Sequence, residues 1–220
     1  MQLDAIGLQH DNLSVAVANR IRGLIFDGGL AEGSRINEVQ LASDLGVSRT
    51  PLREALARLE SEGAIQREPR RGYFVRFLTL EEFEHLYPIR GLLDPEALRN
   101  AGIPNAETLD ALDHTNAEIA RESGVDRRID LDDHWHLALI AGCDNPVLLG
   151  LIADFMAKTR RYELAYFRAQ ANVSAAADEH LNVTRALRNG DMNAACEALR
   201  RNLTSGAEPI RQWLQTRKTP

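Results

Sequence analysis

The sequence predicts a mainly α-helical protein in two parts, three helices closed by a β-hairpin and then an all-α antiparallel helical bundle. Three observations predict it. Apolar residues recur at helical spacing through most of the chain. Strand-like segments are confined to residues 64–77, around a turn that ends in Gly72. Directly behind them, Thr79-Leu80-Glu81-Glu82 has the pattern of a capping box, which starts a new helix. The expected domains are therefore 1–78 and 79–220.

From Leu13 to Phe26 the spacing of Val17, Ile21, Leu24 and Ile25 makes one apolar helix face, and Asp27-Gly28-Gly29 ends it. Asn37 suits the cap of a second helix that stops at Gly46. A third starts with Ser48 as its cap, tolerates Pro51 in its first turn, and ends at Gly63. Residues 64–68 and 73–77 read as two short strands around Pro69-Arg70-Arg71-Gly72. Beyond the boundary, helices are expected near 80–100, 105–123, 127–142, 146–169, 173–189 and 191–214. Pro88 and Pro95 fall inside the first of these and should kink or break it.

Composition narrows the function. With 44% hydrophobic and 26% charged residues, the chain suits a soluble folded protein. No apolar run reaches the roughly 18–20 residues that span a bilayer. The opening MQLDAIGLQHDN lacks the basic and apolar regions of a secretory signal, so a cytoplasmic protein with no membrane partner is expected. Two cysteines, Cys143 and Cys196, can form neither a disulfide framework nor a four-cysteine zinc site. The net charge of −6 argues against nucleic acid, but it is unevenly placed. Residues 1–78 balance ten basic against ten acidic residues, and Ser48–Arg76 alone sets seven arginines against four glutamates. That is a local basic stripe on an acidic protein.

The stripe coincides with a helix-turn-helix pattern from Gln40 to Leu56. Small Ala42 permits close helix crossing, Gly46 makes the turn, and Val47, Leu52, Leu56 and Leu59 supply an inner face. Arg49, Thr50 and Arg53 are left at the exposed start of the last helix, the part that such motifs place in the major groove. An arginine fork there can pair with guanine O6 and N7. Ser48 and Thr50, beside the free amides of a helix start, can hold phosphate oxygens. Arg70, Arg71 and Gly72 at the hairpin tip can reach the adjacent minor groove or backbone. The order of helices and hairpin is that of a winged helix-turn-helix.

This region resembles the GntR family of bacterial transcription regulators. The matching residues are Gly33 and Glu38, Leu41-Ala42, Leu45 through Leu56, Leu59, Glu62-Gly63 and Arg70-Arg71-Gly72. The resemblance implies a homodimer on a short palindromic DNA operator. It also implies base or phosphate contacts from Arg49, Thr50 and Arg53, and a wing in the minor groove.

In the helical half, Asp132 and His136 stand four apart and share one helix face with Leu139 and Cys143, while His134 points elsewhere. A carboxylate and an imidazole so placed can be two ligands of a metal built into a bundle. The last helices turn at Asn189-Gly190-Asp191, so His180 and Asn202 lie at equal height, ~15 Å from the turn. If both face inward they complete a four-group site. Residues 80–215 resemble the FCD ligand-binding domain of the FadR subgroup. The resemblance is carried by Leu86-Tyr87-Pro88-Ile89-Arg90, Asp132 through His136 with Leu139, Asn145-Pro146, Asp178-Glu179-His180 and Gly190-Asp191.

That resemblance implies a divalent ion, zinc or nickel, on Asp132, His136 and His180. Asn202 stands where the family usually has a fourth histidine, and its carbonyl is a harder, weaker ligand that lowers zinc affinity. It further implies a small organic-acid effector, with Arg90 as a side chain to hold it. On the long helix over 146–169 the inward register Leu148, Ile152, Phe155, Thr159, Tyr162 favours Tyr162 over Arg160 and Arg161 as a further effector contact. The function expected is a transcription regulator, a repressor, controlled by that acid. The alternative is a regulator for which the ion itself is the signal. A metallohydrolase would need a general base beside metal-bound water, and Asp133 and Glu179 are not placed on the ligand stripe by periodicity.

Overall fold

The computed structural model describes the backbone of residues 3–216 and, from residue 13 on, their side chains except that of residue 170. The chain divides into two compact units, Met1–Leu78 and Thr79–Pro220. The first holds α1 (Leu3–Phe26), α2 (Glu38–Leu45), α3 (Arg49–Ser61) and the antiparallel strands β1 (Ile65–Glu68) and β2 (Gly72–Val75). α1 begins well before the Leu13 start that apolar spacing gives. Val17 and Ile21 of α1 and Leu52, Leu56 and Leu59 of α3 form the core with Ile65 and Val75 of the hairpin. A buried ion pair closes the α1–α3 seam: Arg22 Nη2 donates to Glu62 Oε2 at 2.8 Å and its Nε donates to the same oxygen at 3.2 Å.

Asn37 caps α2, its Oδ1 accepting from the amides of Val39 and Gln40, and Gly46 closes the helix in the left-handed conformation (φ 65°). Ser48 occupies the cap position of α3 in extended backbone, but its hydroxyl makes no capping hydrogen bond. The expected side-chain cap is corrected by Pro51: at the third helical position it has no N–H to offer.

β1 and β2 pair in the register Ile65–Val75, Gln66–Phe74, Arg67–Tyr73 and Glu68–Gly72. A segment without strand-like sequence adds to them. Ile36 N–H donates to Tyr73 O at 2.8 Å, and Val75 N–H donates to Ser34 O at 3.0 Å. Residues 33–36 therefore run along the outer edge of β2.

The second unit contains α4 (Leu80–Ala101), α5 (Ala106–Arg121), α6 (Val125–Leu139), α7 (Pro146–Tyr166), α8 (Gln170–Arg188), α9 (Met192–Ser205) and α10 (Ala207–Thr216). Thr79 Oγ1 accepts from Glu82 N–H at 3.1 Å and starts α4. α4 packs on α7 and α9, α8 on α5 and α9, and α5 on α6. Trp135, Leu98, Leu112, Ile119, Ile152 and Leu199 are among the core residues.

One expectation is narrowed here and another fails. α4 is not broken at either proline but runs as one helix through both. Pro95 cannot bond the Gly91 carbonyl four residues back, and Arg200 Nε from α9 donates to that oxygen instead, at 3.3 Å. Pro88 and Glu84, whose carbonyl it frees, are both exposed. The single last helix expected over 191–214 is instead α9 and α10, divided at Gly206, where a Cβ would lie 2.4 Å from the Tyr87 hydroxyl.

Candidate functional site

In the first unit the exposed ends of three elements surround one groove. The start of α3 presents Ser48, Arg49, Thr50 and Arg53, all exposed. Arg49 and Arg53 line the groove with Gly72 of the hairpin and with Arg35, Asn37, Glu38 and Val39, over about 410 Å³. The Arg53 side chain is 70% exposed and its Nε lies 3.5 Å from Glu38 Oε2, an orienting contact that leaves the guanidinium fork outward. At the hairpin tip Arg70 adopts φ 65°, a left-handed backbone that costs a non-glycine residue about 1 kcal/mol. Arg71 pairs with Glu68 and stacks its guanidinium 5.0 Å from the Phe74 ring. Gly72 has φ 94°, a backbone that favours glycine, and a Cβ there would touch the Arg35 guanidinium at an ordinary 3.7 Å.

Arg35 is the residue that sequence reasoning missed. Its segment has no strand pattern, and only the edge pairing to β2 carries it to the hairpin.

The second unit contains a buried polar centre. Asp132 and His136 sit one turn apart on α6, and His180 comes from α8. Their exposures are 7%, 3% and 0%, and one ligand atom from each lies within 4.8 Å of the others. His180 Nε2 is 3.5 Å from Asp132 Oδ1 and His136 Nε2 is 3.7 Å from Asp132 Oδ2, too long for hydrogen bonds. Two ligands bonded at ~2.0–2.1 Å to one tetrahedral ion sit ~3.3 Å apart, close to these spacings. His180 Nε2, His136 Nδ1 and Asn202 Oδ1 are buried without a hydrogen-bond partner. Two of these, His180 Nε2 at 3.5 Å from Asp132 and Asn202 Oδ1 on a wall of the adjoining cavity, offer lone pairs with nothing to accept, which is what a cation site requires. The residues fit a divalent ion.

The surroundings fix the rings. Asn116 of α5 donates Nδ2 to the Ala177 carbonyl at 2.9 Å, which turns its Oδ1 towards His180 Nδ1 at 3.0 Å. His180 must then carry its proton on Nδ1, and Nε2 presents a bare lone pair to Asp132. The Trp135 indole stacks on the His180 ring at 3.8 Å with an 11° interplanar angle.

Burial, above all, pushes the Asp132 carboxyl well above the usual carboxylate range, with Glu163 and Asp133 adding to it. Burial and the positive charge of Arg90 hold His136 well below its ordinary value and His180 down at about 3. The histidines are neutral and ready to ligate.

A cavity of about 40 Å³ opens beside this centre, bordered by Arg90, Asp132, His136, Thr159, Glu163 and Asn202, with Tyr87 and Tyr166 among its other walls. Arg90 is 4% exposed. Its Nη2 donates to Asp94 Oδ2 at 3.0 Å and its Nη1 lies 3.6 Å from Glu163 Oε1. Burial opposes its charge, and Asp94 and Glu163 more than restore it. The Thr159 hydroxyl donates to Glu163 Oε1 at 3.1 Å, whereas Glu163 Oε2 is buried and unpartnered.

Tyr162 is not part of this wall. It is fully buried, but its hydroxyl donates to Glu82 Oε2 at 3.2 Å and accepts from Arg161, and its ring packs on Phe83. The cavity-facing register of α7 is Thr159, Glu163, Tyr166, one residue out of step with a Thr159–Tyr162 stripe. His134 is exposed, and Cys143 and Cys196 are buried free thiols. Arg160 and Arg161 are buried too, the first paired with Asp130 and Asp133, the second with Glu82.

A basic groove beside a wing and a polar cavity within a helical bundle match two known families. Residues 13–75 match the bacterial regulatory proteins of the gntR family, and residues 85–205 match the FCD domain. The chain belongs to the GntR family. The uncharacterized HTH-type transcriptional regulator YdhC of Bacillus subtilis (strain 168) is 42% identical to this GntR protein over 72 residues, 33% of this chain and 32% of that one. The Nta operon transcriptional regulator of Aminobacter aminovorans is 35% identical over 131 residues, 58% of this chain and 62% of that one. The chain thus spans less than two thirds of the length of either relative. The solved E. coli McbR/YncC shares the fold at a TM-score of 0.70 and 22% identity, covering 91% of this chain and 98% of that one. These relatives are transcription regulators, not enzymes. Among the described residues of this GntR protein, no helix is long and apolar enough to cross a membrane.

Proposed function

We propose that this protein is a cytoplasmic repressor of the FadR subgroup that binds a palindromic DNA operator as a homodimer. A small carboxylic acid, bound in a metal-containing cavity of the FCD domain, sets its affinity for DNA. The observation that carries the reading is the groove in which Arg35, Arg49, Arg53 and Gly72 converge, with both α3 guanidinium groups exposed. Arg49 and Arg53 pair with guanine edges in the major groove. Ser48, whose hydroxyl makes no capping bond, and Thr50 hold phosphate oxygens. Arg70, Arg71 and Gly72 take the wing into the minor groove. A dimer seated on an operator that overlaps a promoter excludes polymerase, which supports repression as the simplest outcome.

In the FCD domain Asp132, His136, His180 and Asn202 would hold zinc or nickel. When bound, such an ion supplies a Lewis acid for a carboxylate. The chain's own residues then restrict the effector. Arg90 gives Nη2 to Asp94 and stands 3.6 Å from Glu163, while its Nε is buried without a hydrogen-bond partner, so it is the cation that a carboxylate in the cavity would meet. Beside it, Glu163 Oε2 is likewise unpartnered and would take a donor. The effector that fits carries one carboxylate and a hydroxyl or amine. At ~10–15 Å³ per water, the cavity of about 40 Å³ holds roughly three waters, which keeps that acid small. The same tightness favours a second reading, in which the ion alone is the signal.

The test is selection of duplexes from a random pool, then anisotropy titration of the winners. One bidentate arginine is worth ~1–3 kcal/mol, so its loss from both half-sites costs about 2–6 kcal/mol. Arg49→Ala with Arg53→Ala should lose sequence-specific binding by at least 100-fold. Retained specificity in that variant would refute the assignment. Titrating zinc against operator affinity, with and without a small hydroxy acid, separates the two signals.

A further inference from the structure

Of the four groups around the ion site, Asn202 is held in a way its identity does not require. Its Nδ2 donates to Glu179 Oε2 at 3.2 Å, and the Ser205 hydroxyl donates to the same oxygen at 2.9 Å. A carboxylate only accepts, so the amide cannot be turned about without setting two oxygens against each other. The NH2 end is therefore claimed, and the carbonyl end is the one left buried, unpartnered and beside the cavity that Asp132 and His136 also line.

We infer that Asn202 is an oxygen donor to the bound ion, locked in that orientation by Glu179. Resting on the metal reading of the cavity, this makes the donor set two imidazole nitrogens and two oxygens. Zinc exceeds manganese in affinity for nearly any site, and nitrogen donors widen the gap while carboxylate and carbonyl oxygens narrow it. The site is thus tuned towards a harder divalent ion than a three-histidine set would select. Glu179 is a positioning residue, since it acts only through the amide it holds.

Zinc and manganese are titrated separately into the full-length protein against a competing chelator, and the manganese form is read by electron paramagnetic resonance for coupling to two imidazole nitrogens. Asn202→His should widen the zinc-over-manganese affinity ratio at least tenfold. Asn202→Leu, nearly isosteric, should lose manganese affinity at least tenfold. Glu179→Ala should lose three- to tenfold, with recovery in Glu179→Gln, whose carbonyl still accepts from Asn202. A folded Asn202→Leu with wild-type manganese affinity, or an unchanged ratio in Asn202→His, overturns the inference while the metal site stands. If neither ion binds the wild type or Asn202→His, the metal reading falls and takes the inference with it.

Discussion

Replacing Asn116 by leucine tests the centre through a residue that no ion would touch. Asn116 is 4% exposed and spans two partners, accepting from His180 Nδ1 and donating to the Ala177 carbonyl. Leucine has the same number of heavy atoms and the same branch at Cγ and is somewhat bulkier, so no cavity opens. The Ala177 carbonyl loses a side-chain partner but is half-buried and lies within α8, so the loss is that of one ordinary hydrogen bond, ~0.5–1.5 kcal/mol. His180 has a way out. Its proton can move to Nε2, where Asp132 Oδ1 waits 3.5 Å away. That shift spares the fold and spoils the site, because the lone pair aimed at the ion becomes a donor.

Loss of a partner that orients a ligand histidine lowers metal affinity ~10–100-fold, about 1.4–2.7 kcal/mol. The assay is a chelator-competition zinc titration, with 15N shifts of His180 read in parallel. Asn116→Leu should bind zinc 10–100-fold more weakly and show the proton moved from Nδ1 to Nε2. Asn116→Asp keeps an acceptor for Nδ1 and should hold the original tautomer. Wild-type zinc affinity in Asn116→Leu, or an unmoved proton, would refute the reasoning.

Four further outcomes are expected. Arg22→Met strands the buried Glu62 carboxylate and should destabilise the first unit by about 3–5 kcal/mol in calorimetry, whereas Arg22→Met with Glu62→Leu should recover most of that. Arg70→Gly relieves the left-handed strain at φ 65° and should leave stability equal or up to about 1 kcal/mol higher. The same change should lower the salt slope of DNA binding by ~0.9 for each phosphate that Arg70 neutralises. Gly206→Ala drives a methyl into the Tyr87 hydroxyl and the Tyr166 ring, so it should cost about 1–3 kcal/mol in thermal unfolding and weaken effector binding. Arg211 holds the Glu84 carboxyl below its usual range, so that α4–α10 tie is present above the ordinary carboxylate pKa and lost as pH falls through the lowered one. Hydrogen exchange across Ala207–Thr216 should therefore rise below about pH 4.5, and sooner in high salt.

Much of this architecture was legible because it is local. The Asn37 and Thr79 caps and the Gly46 exit are each decided within four residues of chain, and each forms as its residue type dictates. Ser48 shows where that logic stops, since a cap needs a donor and Pro51 withdraws one. The run of α4 through Pro95 depends on an arginine more than a hundred residues later. The edge position of residues 33–36 depends on β2 rather than on any pattern of their own.

Within the candidate site the same division holds. The i, i+4 spacing of Asp132 and His136 is readable as a shared face, and the symmetry of a helical hairpin relates His180 to Asn202. What periodicity leaves open is which of two adjacent positions on a long buried helix faces a cavity. On α7 the 100° step between Tyr162 and Glu163 decides it, and both residues are buried, so burial gives no warning. Glu163 goes in because Arg90 needs a second carboxylate, and Tyr162 goes out because Glu82 and Arg161 take its hydroxyl. Arg90 illustrates the same limit from the other side. Its type marks it as an anion clamp, but only the three-dimensional neighbours reveal that Asp94 takes Nη2 and Glu163 stands 3.6 Å from Nη1 while Nε keeps no hydrogen-bond partner. Satisfaction of a buried charge is a property of the assembled site.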